Sequence, residues 1–158
     1  MRIQKIRFEP FGGVIGTEDP ISLLWVDRDF LRSRGFDGSP AWEGPETGGL
    51  SRPVEMEITI TTRCNLSCPC CYASSGRSGV HASDAQVTSA IEVASRMDVF
   101  HIAFGGGEPL CHPHLLRFAQ FAREKGLIPA TTTNGTLVTR EWVRKAEGLF
   151  GRVRSRPF

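Results

Sequence analysis

The chain has 158 residues, 40% of them hydrophobic and 23% charged, and a formal net charge of +2. That is the composition of one ordinary globular domain with enough apolar matter for a core, and a charge so near balance gives no reason to expect nucleic acid or a membrane surface as partner. The longest apolar run, Leu23 to Val26, is far too short to cross a bilayer, and Met1 to Ile6 has no apolar signal core. Five cysteines, an odd number and mostly clustered, argue for a metal in a reducing compartment rather than a disulfide framework, and so for a cytoplasmic location.

Residues 1–34 read as a small β-rich N-terminal segment. Ile3 to Phe8 suits a strand, Gly12-Gly13 a turn, Ser22 to Val26 a second strand, and Asp29 to Arg34 one helical turn. Glycines and prolines punctuate residues 35–52, which read as a linker. From 53 to 158 the pattern changes to strands alternating with helices. Glu55 to Thr62 reads as a strand. Ser83 with Gln86 three residues on forms a capping box for a helix to about Met97, with Val87, Ile91 and Ala94 on one face. Val99 to Phe104 is the next strand. A second helix starts near Pro113, ends at Gly126, and buries Leu115, Phe118 and Ala122. Leu127 to Thr133 is a third strand, and Thr139 caps a third helix to about Glu147. The fold class is therefore α/β, a parallel sheet with right-handed crossovers. The basic tail from Arg152 to Phe158 makes an unconvincing strand.

The chemistry is concentrated after these strands. Cys64, Cys68 and Cys71 stand at C-x3-C-x2-C spacing after the first, with Cys70 as an extra thiol. Compact thiolate runs bind iron–sulfur clusters or zinc. A closed zinc site needs four ligands, and so does a fully protein-ligated [4Fe–4S] cluster. Three thiolates would leave one iron open. A zinc knuckle that borrows Cys70 or a distant residue remains the alternative. Gly105-Gly106-Gly107-Glu108-Pro109 follows the second strand and Thr133-Asn134-Gly135 the third. Parallel strands put all three loops at one end of the sheet, where α/β active sites are built. Taken singly, the glycine run could be a plain turn, and Asn-Gly is a common one.

With these motifs in order, the chain resembles the radical S-adenosylmethionine (AdoMet; radical SAM) family, in particular the SPASM/twitch-type branch that matures peptides and cofactors. The resemblance runs from about Pro53 to Phe150. It implies the N-terminal half of a (β/α)6 partial TIM barrel and a [4Fe–4S] cluster on Cys64, Cys68 and Cys71. It also implies AdoMet bound at Gly106, Gly107, Glu108 and Asn134, with Glu108 accepting from the AdoMet ammonium group. The implied activity is cleavage of AdoMet to a 5′-deoxyadenosyl radical that abstracts hydrogen from a peptide or small-molecule substrate. A one-electron donor such as a flavodoxin or ferredoxin is the implied partner. The branch commonly has an aromatic residue or histidine where Cys70 stands. Its barrel has further strands and its extensions further cysteines, so the expectation is a truncated product, a gene fragment or one half of a split enzyme. A truncated, non-catalytic Fe–S or zinc-binding fragment is the alternative function. Residues 1–52 are weighed as a binding module for a precursor peptide, through pairing at an exposed strand edge.

Overall fold

The computed structural model describes residues 2–156 and divides the chain into two compact units, Met1–Pro53 and Val54–Phe158. Met1, Pro157 and Phe158, the last two belonging to the basic tail, lie outside the described residues.

In the first unit, β1 (Arg2–Glu9), β2 (Gly12–Asp19) and β3 (Ile21–Asp27) form an antiparallel meander in that order. Gly12-Gly13 is not the turn but the start of β2, a strand the sequence pattern conceals. The turn lies at Pro10-Phe11. A Cβ on Gly13 would sit 2.9 Å from the Arg7 carbonyl oxygen, and one on Gly12 2.2 Å from that of Val26, so close strand approach selects glycine here. The helical turn is α1 (Arg28–Ser33), capped by the Asp27 side chain on Phe30 N–H at 2.7 Å.

Of residues 35–52, expected as a linker, Phe36, Ala41 and Trp42 join the core of this unit, while residues 43–52 are exposed. Ser39 caps a 3₁₀ turn over Pro40–Trp42, which buries Trp42 against Phe8 and lets its indole N–H donate to the Gly12 carbonyl at 2.9 Å. The Arg7 guanidinium pairs with Glu9 at 2.7 Å and donates to the carbonyls of Arg52 and Pro53, each at 2.8 Å. A Gly/Pro-rich composition signals turns, but the anchoring is tertiary and has no local signature.

The second unit is a four-stranded parallel sheet, β4 (Glu55–Thr61), β5 (His101–Gly106), β6 (Ile128–Thr133) and β7 (Arg152–Ser155), in chain order. The helices are α2 (Asp84–Arg96), α3 (Leu115–Glu124) and α4 (Arg140–Ala146). The Ser83–Gln86 capping box is present at α2, Thr139 caps α4, and Gly126 follows α3 with φ +78°. Val87, Ile91 and Ala94 meet Leu115, Phe118, Ala119 and Ala122 over Ile60, Ile102 and Phe104, a single core on one face of the sheet. Burying each large apolar side chain contributes about 1.5–3 kcal/mol. The tail is a correction: Arg152–Ser155 does form a strand, parallel to β6 and in register from Ala130↔Arg152 to Thr133↔Ser155. Its charges obscure it because they lie on an open face rather than in the core.

Candidate active site

All four strands of the second unit run the same way, so the loops after β4, β5 and β6 meet at one edge. There they border a cavity of about 630 Å3, within the usual range for a small-molecule site. Cys64, Cys68, Cys70, Cys71, the glycines 105–107, Glu108 and Asn134 all line it. Every site residue expected from the sequence therefore borders this one cavity.

The cysteine loop is a long excursion from β4 that returns to it. Thr62 N–H donates to Val80, Cys64 N–H to Gly76 and Ala82 N–H to Ile60, each at 2.9 Å. Gly79 is needed at this return, since a Cβ would lie 2.2 Å from the Thr62 carbonyl oxygen. His112 holds the return from the other side. It is buried, its Nε2–H donating to the Ala82 carbonyl and its Nδ1 accepting from His114 N–H, both at 3.1 Å. His81 bridges to Thr61 through a 2.8 Å contact with the hydroxyl, and burial, with His112 nearby, lowers its pKa. His114 pairs with Asp84 at 2.7 Å, and the same contact lowers the Asp84 pKa. These histidines are scaffold.

Around the thiols the backbone is donor-rich. Hydrogen bonds from the backbone N–H groups of Ser75, Ala73 and then Ser74 hold the Cys71 thiol below its ordinary range. The three N–H groups come from consecutive residues, of which Ser74 adopts φ +47°. This favours the thiolate, the form that ligates metals. Cys111 is the reverse case: burial pushes its thiol up, and it does not line the cavity. Cys70 and Tyr72 do line it and are exposed.

The glycine run is shaped by the chain itself. Gly107 N–H donates to the Thr61 carbonyl at 2.8 Å and Glu108 N–H to that of Arg63 at 2.9 Å, continuing the ladder past β4. A Cβ on Gly106, with φ +121°, would lie 2.0 Å from the Thr61 oxygen, and one on Gly107 2.4 Å from the Arg63 oxygen. Only glycine fits at either place.

Glu108 is fully buried and ties two loops together. Its Oε1 accepts from Leu110 N–H at 3.0 Å and from the Thr133 hydroxyl at 2.8 Å, while Oε2 accepts from Asn134 N–H at 2.7 Å. A carboxylate offers about four lone-pair sites, so capacity for one further donor remains. The Asn134 carboxamide donates to Asn65 Oδ1 at 2.9 Å and to Cys64 Sγ at 3.8 Å. Asn65 and Thr136 in this network went unread in the sequence, since side-chain pairing between separate loops leaves no local pattern.

The open face of the sheet is polar. Across it run Glu57, Ala103, Ala130 and Arg152 in register, with Glu55 on β4 and Arg154 and Arg156 at β7. Arg152 reaches Glu55 at 3.6 Å. The signal for this wall was present: Arg-x-Arg-x-Arg has the two-residue period that puts one set of side chains on one face. His101 begins β5 beside Glu55, and among the described residues its buried Nε2 has no partner.

Three thiols, a donor-rich backbone and a cavity of this size suit a polynuclear cluster with a small cosubstrate. Among the described residues no three His, Cys, Asp or Glu side chains converge as a site for a single metal ion. No helix of the described residues is long and apolar enough to cross a membrane.

The model of the Radical SAM superfamily matches residues 58–152. The mycofactocin maturase MftC of Mycobacterium tuberculosis (strain CDC 1551 / Oshkosh) is 34% identical over 94 residues, which cover 59% of this chain and 24% of that protein. The PqqA peptide cyclase of Gluconobacter oxydans (strain 621H) is 32% identical over 90 residues, covering 56% and 25%. In fold, the chain is similar to Streptococcus suis SuiB bound to precursor peptide SuiA, at TM-score 0.63 and 16% identity, covering 93% of this chain and 45% of that one. The chain thus spans about a quarter of the length of the curated relatives it matches.

Proposed function

The chain belongs to the radical SAM superfamily, and from that premise we propose that it holds a [4Fe–4S] cluster on Cys64, Cys68 and Cys71, binds AdoMet beside it, and serves in the maturation of a peptide or cofactor. The observation that carries this reading is that three thiols, the glycine run, Glu108 and Asn134, drawn from three separate loops, border one cavity. When bound, cluster and AdoMet together supply one-electron cleavage of the sulfonium and a 5′-deoxyadenosyl radical able to abstract hydrogen.

The protein's part is to hold and to orient. The N–H groups around Cys71 favour its thiolate, the form that ligates metal. Gly106 and Gly107 bring bare backbone to the cavity wall, where the methionine end of AdoMet would lie. Glu108, already fixed by three donors, has one acceptor position left for the ammonium group. The reaction requires an external one-electron donor such as a flavodoxin or ferredoxin, and thiolate ligation suits a reducing, cytoplasmic setting.

A peptide substrate is supported by the first unit. Its strand β3 is a sheet edge and exposes Leu24 and Trp25, a surface on which an extended peptide can add as a strand. The relatives named for a peptide, PqqA peptide cyclase and SuiB with SuiA, favour the same class. Deleting residues 1–50 and measuring precursor-peptide affinity tests this, and unchanged affinity would sink it. The cluster itself is tested by anaerobic reconstitution with iron and sulfide. Four irons per chain in the parent, and their loss on C64A, C68A or C71A, are expected; a zinc-loaded protein would contradict the assignment.

A further inference from the structure

Resting on that reading, we propose that Asn134 sets the reduction potential of the cluster through an N–H···S hydrogen bond to Cys64, a positioning and tuning role beyond contact with AdoMet. The side chain is oriented by its partners. Asn134 Oδ1 accepts from Thr136 N–H at 3.0 Å and from the Thr136 hydroxyl at 2.6 Å. A backbone N–H can only donate, so this end of the carboxamide is the oxygen, and the amino group must point the other way. Its two hydrogens go to Asn65 Oδ1 at 2.9 Å and to Cys64 Sγ at 3.8 Å. Asn65 closes the ring by donating to the Thr136 hydroxyl at 2.7 Å. The main chain of Asn134 is pinned as well, donating to buried Glu108 at 2.7 Å.

Cys64 thus receives two donors, Leu66 N–H at 3.4 Å and the Asn134 amide. Cys71 is served by backbone alone. The Asn134 bond is therefore a side-chain hydrogen bond to a cluster sulfur that substitution can remove. Hydrogen bonds to cluster sulfurs and net charge are among the determinants of potential. A donor stabilises the more negative, reduced state, so its loss makes reduction harder.

The test is a redox titration of the anaerobically reconstituted chain without AdoMet, followed by EPR of the reduced cluster. N134A removes the donor and should shift the midpoint to more negative potential. N134D keeps the oxygen that Thr136 binds but sets a negative acceptor against the sulfur, so its shift should be larger. At fixed poise, a tenfold fall in the reduced-to-oxidised ratio corresponds to about 59 mV for one electron. T136V breaks the ring of side chains yet leaves the amide facing Cys64, and its midpoint should stay at the parental value. A midpoint unmoved by N134A, or moved equally by N134A and T136V, overturns the proposal and leaves Asn134 a loop staple. Failure of the parent to take up any cluster overturns the reading beneath it as well.

Discussion

Replacing Glu108 should destabilise the apo protein, because its carboxylate is first of all a clip between the loops after β5 and β6. It is 1% exposed and accepts three hydrogen bonds, from Leu110 N–H, the Thr133 hydroxyl and Asn134 N–H. Bonds to a charged group contribute about 1.5–3 kcal/mol each, and a buried donor left unpaired costs about 1–3 kcal/mol. In E108A the Thr133 hydroxyl can rotate to another acceptor, but two backbone N–H groups cannot. Water entering from the open cavity offsets part of the loss. The expected destabilisation is about 3–5 kcal/mol, at the upper end for one substitution. E108Q retains one oxygen but turns an amino group toward Asn134 N–H, so about 1–3 kcal/mol is expected. Denaturant unfolding followed by far-UV circular dichroism, in the absence of AdoMet, reads both values. A loss below about 1 kcal/mol for E108A would refute the clip and return Glu108 to a purely ligand-binding role.

Three other outcomes follow from the same geometry. Gly106→Ala should destabilise by several kcal/mol, because it combines φ +121° with a Cβ 2.0 Å from the Thr61 oxygen; a thermal melt indistinguishable from the parent would contradict the packing. Alkylation of the apo protein, mapped by mass spectrometry against pH, should modify Cys71 at lower pH than Cys111. Backbone donors favour the Cys71 thiolate and burial disfavours that of Cys111; the reverse order would count against the loop as described. C70S and C111S should retain the full iron content of the reconstituted parent, and loss of iron in either would add that thiol to the ligand set.

How far the sequence carried depended on whether a feature is local. The Ser83–Gln86 box, the Thr139 cap and Gly126 announce their helices within a few residues, and the buried stripe of α2 follows from its period alone. The site was legible for a related reason: parallel strands place successive loops at one edge, so motif order became geometry. The failures share the opposite cause. Strand β2 hid behind Gly12-Gly13, whose glycines answer to Arg7 and Val26 on neighbouring strands. Trp42 made a Gly/Pro-rich stretch part of a core by reaching back to Gly12. The arginines of β7 looked like a solvated tail because the face they occupy is open. Glu108 and Asn134 were recognised by motif, but their partners lie 25 and 70 residues away, and no local pattern names a partner at that distance.

The most direct test of the central claim is EPR of the anaerobically reconstituted and reduced chain, with and without AdoMet. A [4Fe–4S] signal that AdoMet perturbs is the predicted result, because three thiolates leave one iron for the cosubstrate. A zinc-loaded protein, or a cluster whose spectrum is indifferent to AdoMet, would contradict the account.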